Sequence, residues 1–232
     1  MKKINEIGWS EINASLNERG FALISEVLSK KDCTDLIGLY FRQELYRNVI
    51  NMRRYRFGQG EYKYFNYPLP RPIQQLRKQF YIPLASLANQ WTSLLGNETI
   101  YPETHADFLE RCHKHKQNKP TPLMLHYQTG GFNTLHQDLY GEIYFPFQVV
   151  LVLSQHSIEY EGGELVMTEQ LPRAQSKANV ITPHQGDALI FTTNFRPVKG
   201  TRGYYKSKMK HGVSELKSGE RFALGIIFHD AA

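Results

Sequence analysis

The chain is 232 residues long, 41% hydrophobic and 22% charged, with 28 Lys and Arg against 22 Asp and Glu. That is ordinary globular composition with room for a sizeable core, which excludes a disordered tail, a collagen-like repeat and a coiled-coil rod. The two cysteines, Cys33 and Cys112, provide neither a disulfide framework nor a CxxC pair, so a reducing, cytoplasmic setting is expected.

The opening MKKINEIGWSEINASL has lysines but no apolar run behind them. No stretch approaches the roughly 18 to 20 apolar residues of a membrane span, so a soluble, unexported protein is expected. Residues 20 to 28 (GFALISEVL) read as a strand leading to Ser29. Ser29 can cap a helix over about Lys30 to Arg42, with Asp32 in its first turn. Residues 51 to 72 are aromatic, basic and broken by Pro and Gly, which predicts a long arm or irregular hairpin. Its rings are expected mainly to cover the open edge of the core, although Tyr55, Phe57, Tyr62, Tyr64, Phe65 and Tyr67 interleave with Arg53, Arg54, Arg56 and Lys63 in a pattern suited to nucleic acid. Ile73, Leu76, Phe80, Leu84, Leu87 and Trp91 recur at helical spacing, with Pro83 expected to break or kink the helix. A second helical pattern covers about Glu103 to His115.

From residue 121 the texture changes to short apolar runs separated by turn residues: LMLHYQ, FQVVLVLSQ, GGELVMTEQ, NVITP, GDALIFTT and RFALGIIFHD. Such spacing predicts a β-sandwich or jelly roll. The expected fold class is α+β, mainly β. Residues 1–120 would form a helical elaboration with its arm, and 121–232 the jelly-roll core, all one compact domain with the helices backing one sheet.

In GFNTLHQDLYGE, His136 and Asp138 lie two apart, so in extended chain they point to one side. His211, in KMKHGVSEL before the last strand, is placed to be a third ligand. Two imidazoles and one carboxylate with open positions opposite suit non-haem Fe(II) that binds O₂ and an organic co-substrate. Arg221 follows His211 by ten residues, begins the last strand and can hold a carboxylate by a two-point fork.

HxD, a distal His and an Arg ten residues on, with GGEL and GDALIF between, resemble the Fe(II)- and 2-oxoglutarate-dependent oxygenases over roughly residues 122 to 230. The resemblance implies a double-stranded β-helix core, His136, Asp138 and His211 on Fe(II), and Arg221 on the distal carboxylate of 2-oxoglutarate. It also implies O₂ as second co-substrate and ascorbate as a candidate reductant. Tyr127 in LHYQTGG matches a pocket tyrosine of the prolyl-hydroxylase branch, and Gln148 is a further pocket candidate. The implied reaction couples oxidative decarboxylation of 2-oxoglutarate, to succinate and CO₂, to hydroxylation of a substrate C–H.

Other histidines compete less well. His105-Ala106-Asp107 repeats the HxD spacing but reads as helix, where i and i+2 diverge by about 200°; an exposed helix start is expected there. Cys112-His113-Lys114-His115 has no second pair at zinc-finger spacing and reads as a solvated helix end. His184 precedes the Gln185-Gly186-Asp187 turn, with Asn194 and no cation ten residues on. His156 and His229 read as a loop residue and a terminal-strand polar residue.

Arg196, Lys199, Arg202, Lys206, Lys208 and Lys210 lie in one acid-free stretch and equal the whole net charge of +6. A solvated basic hairpin is the plain expectation. Because the stretch directly precedes His211, Arg202, Lys206, Lys208 and Lys210 are also candidate substrate contacts at the site border, which would suit an anionic polymer. The chain is similar overall to bacterial oxygenases acting on methylated or damaged nucleic acid, with weaker likeness through GFALISEVLS and YFNYPLP. Its single Arg at that distance resembles the prolyl-hydroxylase branch instead. Oxidative demethylation of nucleic acid is therefore the first expectation and a peptidyl or free amino-acid hydroxylase the alternative. A jelly-roll binding module without turnover is the alternative of another class.

Overall fold

The structure, a computed structural model, describes residues 4–232. Helix α1 (Trp9–Arg19) ends at Gly20, whose φ of +77° lets its N–H return to the Leu16 carbonyl. Strand β1 (Phe21–Ile24) follows and is shorter than expected, since residues 25–28 turn. Helix α2 (Lys30–Leu39) carries the expected capping box: the Ser29 hydroxyl accepts from the Asp32 N–H, and the Asp32 carboxylate accepts from the Ser29 N–H.

The arm is more regular than its composition suggests. It forms strands β2 (Tyr46–Asn51), β3 (Gly58–Gln59) and β4 (Glu61–Phe65), with a 3₁₀ turn over Met52–Tyr55. Helix α3 (Arg71–Leu94) runs through Pro83 without interruption. Its buried row of Phe80, Leu84, Leu87 and Trp91 anchors both sides of that proline, so the lost backbone hydrogen bond does not end the helix. Helix α4 (His105–Lys114) starts at the Thr104 cap. The remaining strands are β5 (Leu123–Gln128), β6 (Phe132–His136), β7 (Phe147–Val152), β8 (Tyr160–Gly162), β9 (Leu165–Gln170), β10 (Lys177–Ile181), β11 (Ala188–Thr192), β12 (Phe195–Gly200), β13 (Gly203–Val213) and β14 (Leu216–Ile227).

Two antiparallel sheets result. The larger has the order β1-β11-β7-β14-β5-β4-β2, with β8 also beside β14; the smaller has the order β10-β9-β13-β6-β3, with β12 also on β13. The part before residue 120 therefore supplies β1, β2 and β4 to one sheet and β3 to the other. Parity divides the larger sheet's faces. Met124, Val149, Leu151, Leu224 and Ile226 join the layer containing Phe80, Leu84 and Trp91, so the helices back this sheet as expected. Tyr127, Leu189 and Phe191 join Met167, Met209 and Val213 between the sheets. No helix of the described residues is long and apolar enough to cross a membrane.

The chain's C-terminus is locked to α3 by Arg77, which is 1% exposed. Its guanidinium donates to the carbonyls of Ile227, Phe228 and His229 and pairs with Asp230 at 2.7 Å. Asp230 also accepts from Tyr67, while His113 bonds it at 2.9 Å.

Candidate active site

The site is built from inward-facing positions at one end of the space between the sheets. His211 on β13 is the cross-strand partner of His136 on β6, and their ring centroids lie 4.2 Å apart. The close approach depends on Gly212, where a Cβ would stand 2.7 Å from the Asn133 carbonyl oxygen. Asp138 lies just beyond β6. Its Oδ2 is 3.2 Å from His211 Nε2, and its Oδ1 is 3.6 Å from His136 Nε2. Ligand atoms of the three residues all lie within 4.8 Å of one another, the one such group of His, Cys, Asp or Glu found among the described residues.

Their surroundings set the ligating states. His136 Nδ1 is 2.7 Å from the Thr134 carbonyl, which fixes it as the N–H and leaves the Nε2 lone pair toward the cluster. Burial pushes the His211 pKa down against the opposing pull of Asp138, which favours the neutral imidazole that a metal needs. For Asp138, burial acts to raise the pKa. The hydrogen bond with His211, helped by the one from Tyr140, outweighs it and holds the carboxyl well below its usual range. Tyr140 donates to Asp138 Oδ1, leaving Oδ2 toward His211.

These residues line a cavity of about 210 Å³ that also receives Tyr127, Gln148 and Arg221. Arg221 is 1% exposed, and its Nε and Nη2 are buried without a hydrogen-bond partner. Its guanidinium carbon lies 5.7 Å from the Tyr127 ring centre and 5.9 Å from that of Tyr160. Tyr127 Oη is buried and faces Asn133 without closing a hydrogen bond. Gln148 Nε2 lies 3.3 Å from His211 Nε2.

Residues 60–231 match the family model described as "Oxygenase, catalysing oxidative methylation of damaged DNA". The chain belongs to this oxygenase family. Two uncharacterized proteins of Mycobacterium tuberculosis, from strains CDC 1551 and H37Rv, are each 46% identical over 226 residues, covering 97% of this chain and 92% of theirs. Among solved structures, the fold is similar to a Pseudomonas putida prolyl-4-hydroxylase, with a TM-score of 0.58, 15% identity, and 97% and 99% of the two chains covered. A 2OG-Fe(II) oxygenase-family oxidoreductase of Burkholderia pseudomallei gives 0.57 at 15% identity over 98% and 94%. A Trichoplax adhaerens prolyl hydroxylase solved with a peptide fragment gives 0.54 at 15% over 97% and 94%.

Membership of the oxygenase family, the shared jelly-roll fold and the His136–Asp138–His211 cluster make the protein an Fe(II)- and 2-oxoglutarate-dependent dioxygenase. The donor set of two imidazoles and one carboxylate beside a cavity fits ferrous iron. Arg221's partnerless buried donors fit an anionic co-substrate in the same cavity.

The four basic candidates lie elsewhere. Strand alternation buries Ser207, Met209 and His211 and turns Lys206, Lys208 and Lys210 to the exposed opposite face. Lys206 Nζ sits 4.7 Å from the Phe195 ring centre. Arg202 is exposed in the β12–β13 turn, and none of the four lines the cavity. Arg196, in the same stretch, is committed to Glu169 at 2.8 Å and to the Asn17 carbonyl.

The competing histidines have structural roles. His105 is buried rather than at an exposed helix start, and its Nε2 meets the Phe228 carbonyl, while Asp107 takes part in the Thr104 cap. His113 is more than a solvated residue, since it bonds Asp230. His229 accepts from the Phe145 N–H. His184 sits in its turn, where its N–H donates to Asp187. Tyr140, two positions beyond Asp138, belongs to the site although the HxD pattern does not mark it; its spacing from Asp138, the same as that of Asp138 from His136, is the one signal of it in the sequence.

Proposed function

We propose that the protein oxidatively removes methyl groups from damaged nucleic acid, using Fe(II) held by His136, Asp138 and His211 and 2-oxoglutarate held by Arg221. The observation that carries the reading is the buried, partnerless guanidinium of Arg221 in the same cavity as the three ligands. A charge in such a place is costly unless an anion meets it, and a dicarboxylate reaching from the metal supplies one. The family description supports nucleic acid as the substrate. An oxygenase delivers oxygen and has no methyl donor, so the compatible reaction on a methylated base is oxidation of the methyl carbon, followed by release of formaldehyde.

When bound, iron would activate O₂ as the oxidant, with the 2-oxo acid giving up two electrons as it is decarboxylated and the substrate C–H the other two. The protein's residues hold and orient. Thr134 fixes the His136 ring through Nδ1, and Tyr140 donates to Asp138 Oδ1, orienting the carboxylate that would help hold the ion. Arg221 anchors the distal carboxylate, Tyr127 Oη offers a donor beside it, and Gln148 borders the His211 side. Leu123, Leu125 and Val150 make the cavity wall apolar and limit water. Two buried free cysteines accord with a reducing, cytoplasmic location.

The test measures succinate and formaldehyde from methylated single-stranded DNA and RNA, beside a prolyl peptide library, with Fe(II)-loaded protein. Equimolar succinate and formaldehyde from an oligonucleotide is expected. Turnover of peptide alone would replace this reading with the hydroxylase that the single Arg221 resembles.

A further inference from the structure

We propose that the tip of the arm, Arg53 to Phe57, is the surface on which single-stranded nucleic acid stacks as it enters the cavity. The inference rests on the nucleic-acid reading above and adds to it where, and by which chemistry, the strand is held.

The arm divides into two parts with opposite environments. Tyr64 and Phe65 are buried, as expected of rings covering a core, while Tyr55 and Phe57 are 48% and 47% exposed. These two rings stack on each other with centroids 5.7 Å apart and planes 18° apart. Leaving large apolar rings in water is unfavourable. The guanidinium carbon of Arg54 lies 5.8 Å from the Tyr55 ring centre, and Arg53 and Arg56 are exposed beside it. Between Glu44 and Glu61 the sequence has Arg47, Arg53, Arg54 and Arg56 and no acid. Exposed aromatic faces interleaved with cations are the combination that stacks bases and neutralises phosphates without needing duplex grooves.

Position ties this surface to catalysis. Phe57 lines the cavity that holds the three metal ligands. The tip is also held firmly: Phe57 donates its N–H to the Met52 carbonyl, Met52 to that of Gly60, and the Asn51 side chain accepts from Arg53 N–H. Thr134 of β6 donates both its N–H and its hydroxyl to the Phe57 carbonyl, two residues from His136. Met52 anchors the turn from beneath, fully buried between the sheets. The row of Lys206, Lys208 and Lys210 has charge but faces away from His211, so it lacks access to the reacting end of a bound strand.

The test is fluorescence anisotropy of labelled, unmethylated 12-mers of DNA and RNA with full-length metal-loaded protein at two salt concentrations. Tyr55→Ala is expected to weaken binding about 5- to 100-fold, as loss of one stacking partner does. Arg53→Gln with Arg54→Gln should lower the slope of log affinity against log salt by about 1 to 2. Lys206→Gln with Lys208→Gln and Lys210→Gln should leave affinity within about twofold. Tyr55→Ala should stay folded, its thermal midpoint lowered by no more than the few degrees that loss of the ring pair with Phe57 costs. Wild-type binding that survives the tip substitutions but falls in the lysine variant would overturn this inference and leave the nucleic-acid reading intact. Absence of wild-type binding, with turnover of peptide, would overturn that reading and this inference with it.

Discussion

Replacing Arg221 by Met separates stability from ligand binding in a way that only a poised anion site predicts. Two of the guanidinium's donors are buried and unpaired, and such groups cost about 1 to 3 kcal/mol each. Met retains much of the apolar stem and removes the charge. Without 2-oxoglutarate the variant should therefore be more stable, by about 1 to 3 kcal/mol after lost packing is counted, or about 2 to 10 °C in thermal midpoint for a chain of this size. The bound carboxylate should lose about 2 to 5 kcal/mol of interaction, weakening 2-oxoglutarate by about 30- to 5000-fold. At a ligand concentration about 100 times the wild-type Kd, wild type gains about 2.7 kcal/mol from binding. A variant bound about 100-fold more weakly gains about 0.4 kcal/mol at the same concentration. Thermal unfolding of Mn(II)-loaded protein with and without 2-oxoglutarate reads both effects. A variant that is less stable without ligand yet shifts fully with it would refute the assignment of Arg221.

Three further outcomes follow from the geometry. Tyr140→Phe removes the donor to Asp138 Oδ1 and should weaken Mn(II) or Co(II) binding about 10- to 100-fold in a direct titration, with the fold retained. Arg77→Met leaves Asp230 buried without its guanidinium and should cost about 3 to 5 kcal/mol in urea unfolding, because several C-terminal carbonyls lose their donor as well. Burial, with help from the Arg77 charge, pushes the pKa of His105 to about 3 and that of His229 to about 4. Both are neutral in the folded state and take up a proton on unfolding below about pH 6.5. Their contribution is thus complete above that pH and is lost as the pH falls toward the folded values. Between pH 7.5 and 5, urea stability of the metal-free protein should drop by about 2 kcal/mol for each histidine, and His105→Gln should remove roughly half of that dependence.

The core strands were legible because their runs are short, apolar and bounded by turn residues, and because antiparallel pairing needs little else. The metal cluster was legible for a similar reason: HxD in extended chain and a distal His on a neighbouring strand leave few other arrangements. The regular strands of the arm were not. Lys63 of β4 is 5% exposed, tolerated because its ammonium reaches the Tyr40 carbonyl and lies 3.8 Å from that ring's centre. No local pattern announces a lysine kept inside by Tyr40, the residue that ends α2. Helix α1 went unmarked because it buries little, with Leu16 its one fully buried residue and Trp9 and Ile12 half-buried. The basic stretch was misplaced through nearness in sequence. Lys210 adjoins His211, and in a strand that adjacency is the one relation guaranteed to send two side chains to opposite faces.

The same alternation explains why the chemistry is inseparable from the register of the sheets. Tyr127, Gln148 and Arg221 are polar residues within otherwise apolar strands, and all take the parity that faces the cavity. Their neighbours Met124, Val149 and Leu224 take the parity that faces the helices. Arg221 pairs directly with Tyr127 across β14 and β5, while Gln148 lies across from Ile227 on the other side of β14. A slip of β14 by one residue would take the guanidinium out of the cavity to where Phe222 packs on Tyr40 and His126, and would present Phe222 to the cavity in its place. The register that packs Phe222 on those rings is therefore also the one that keeps the residue proposed to hold the co-substrate in its site.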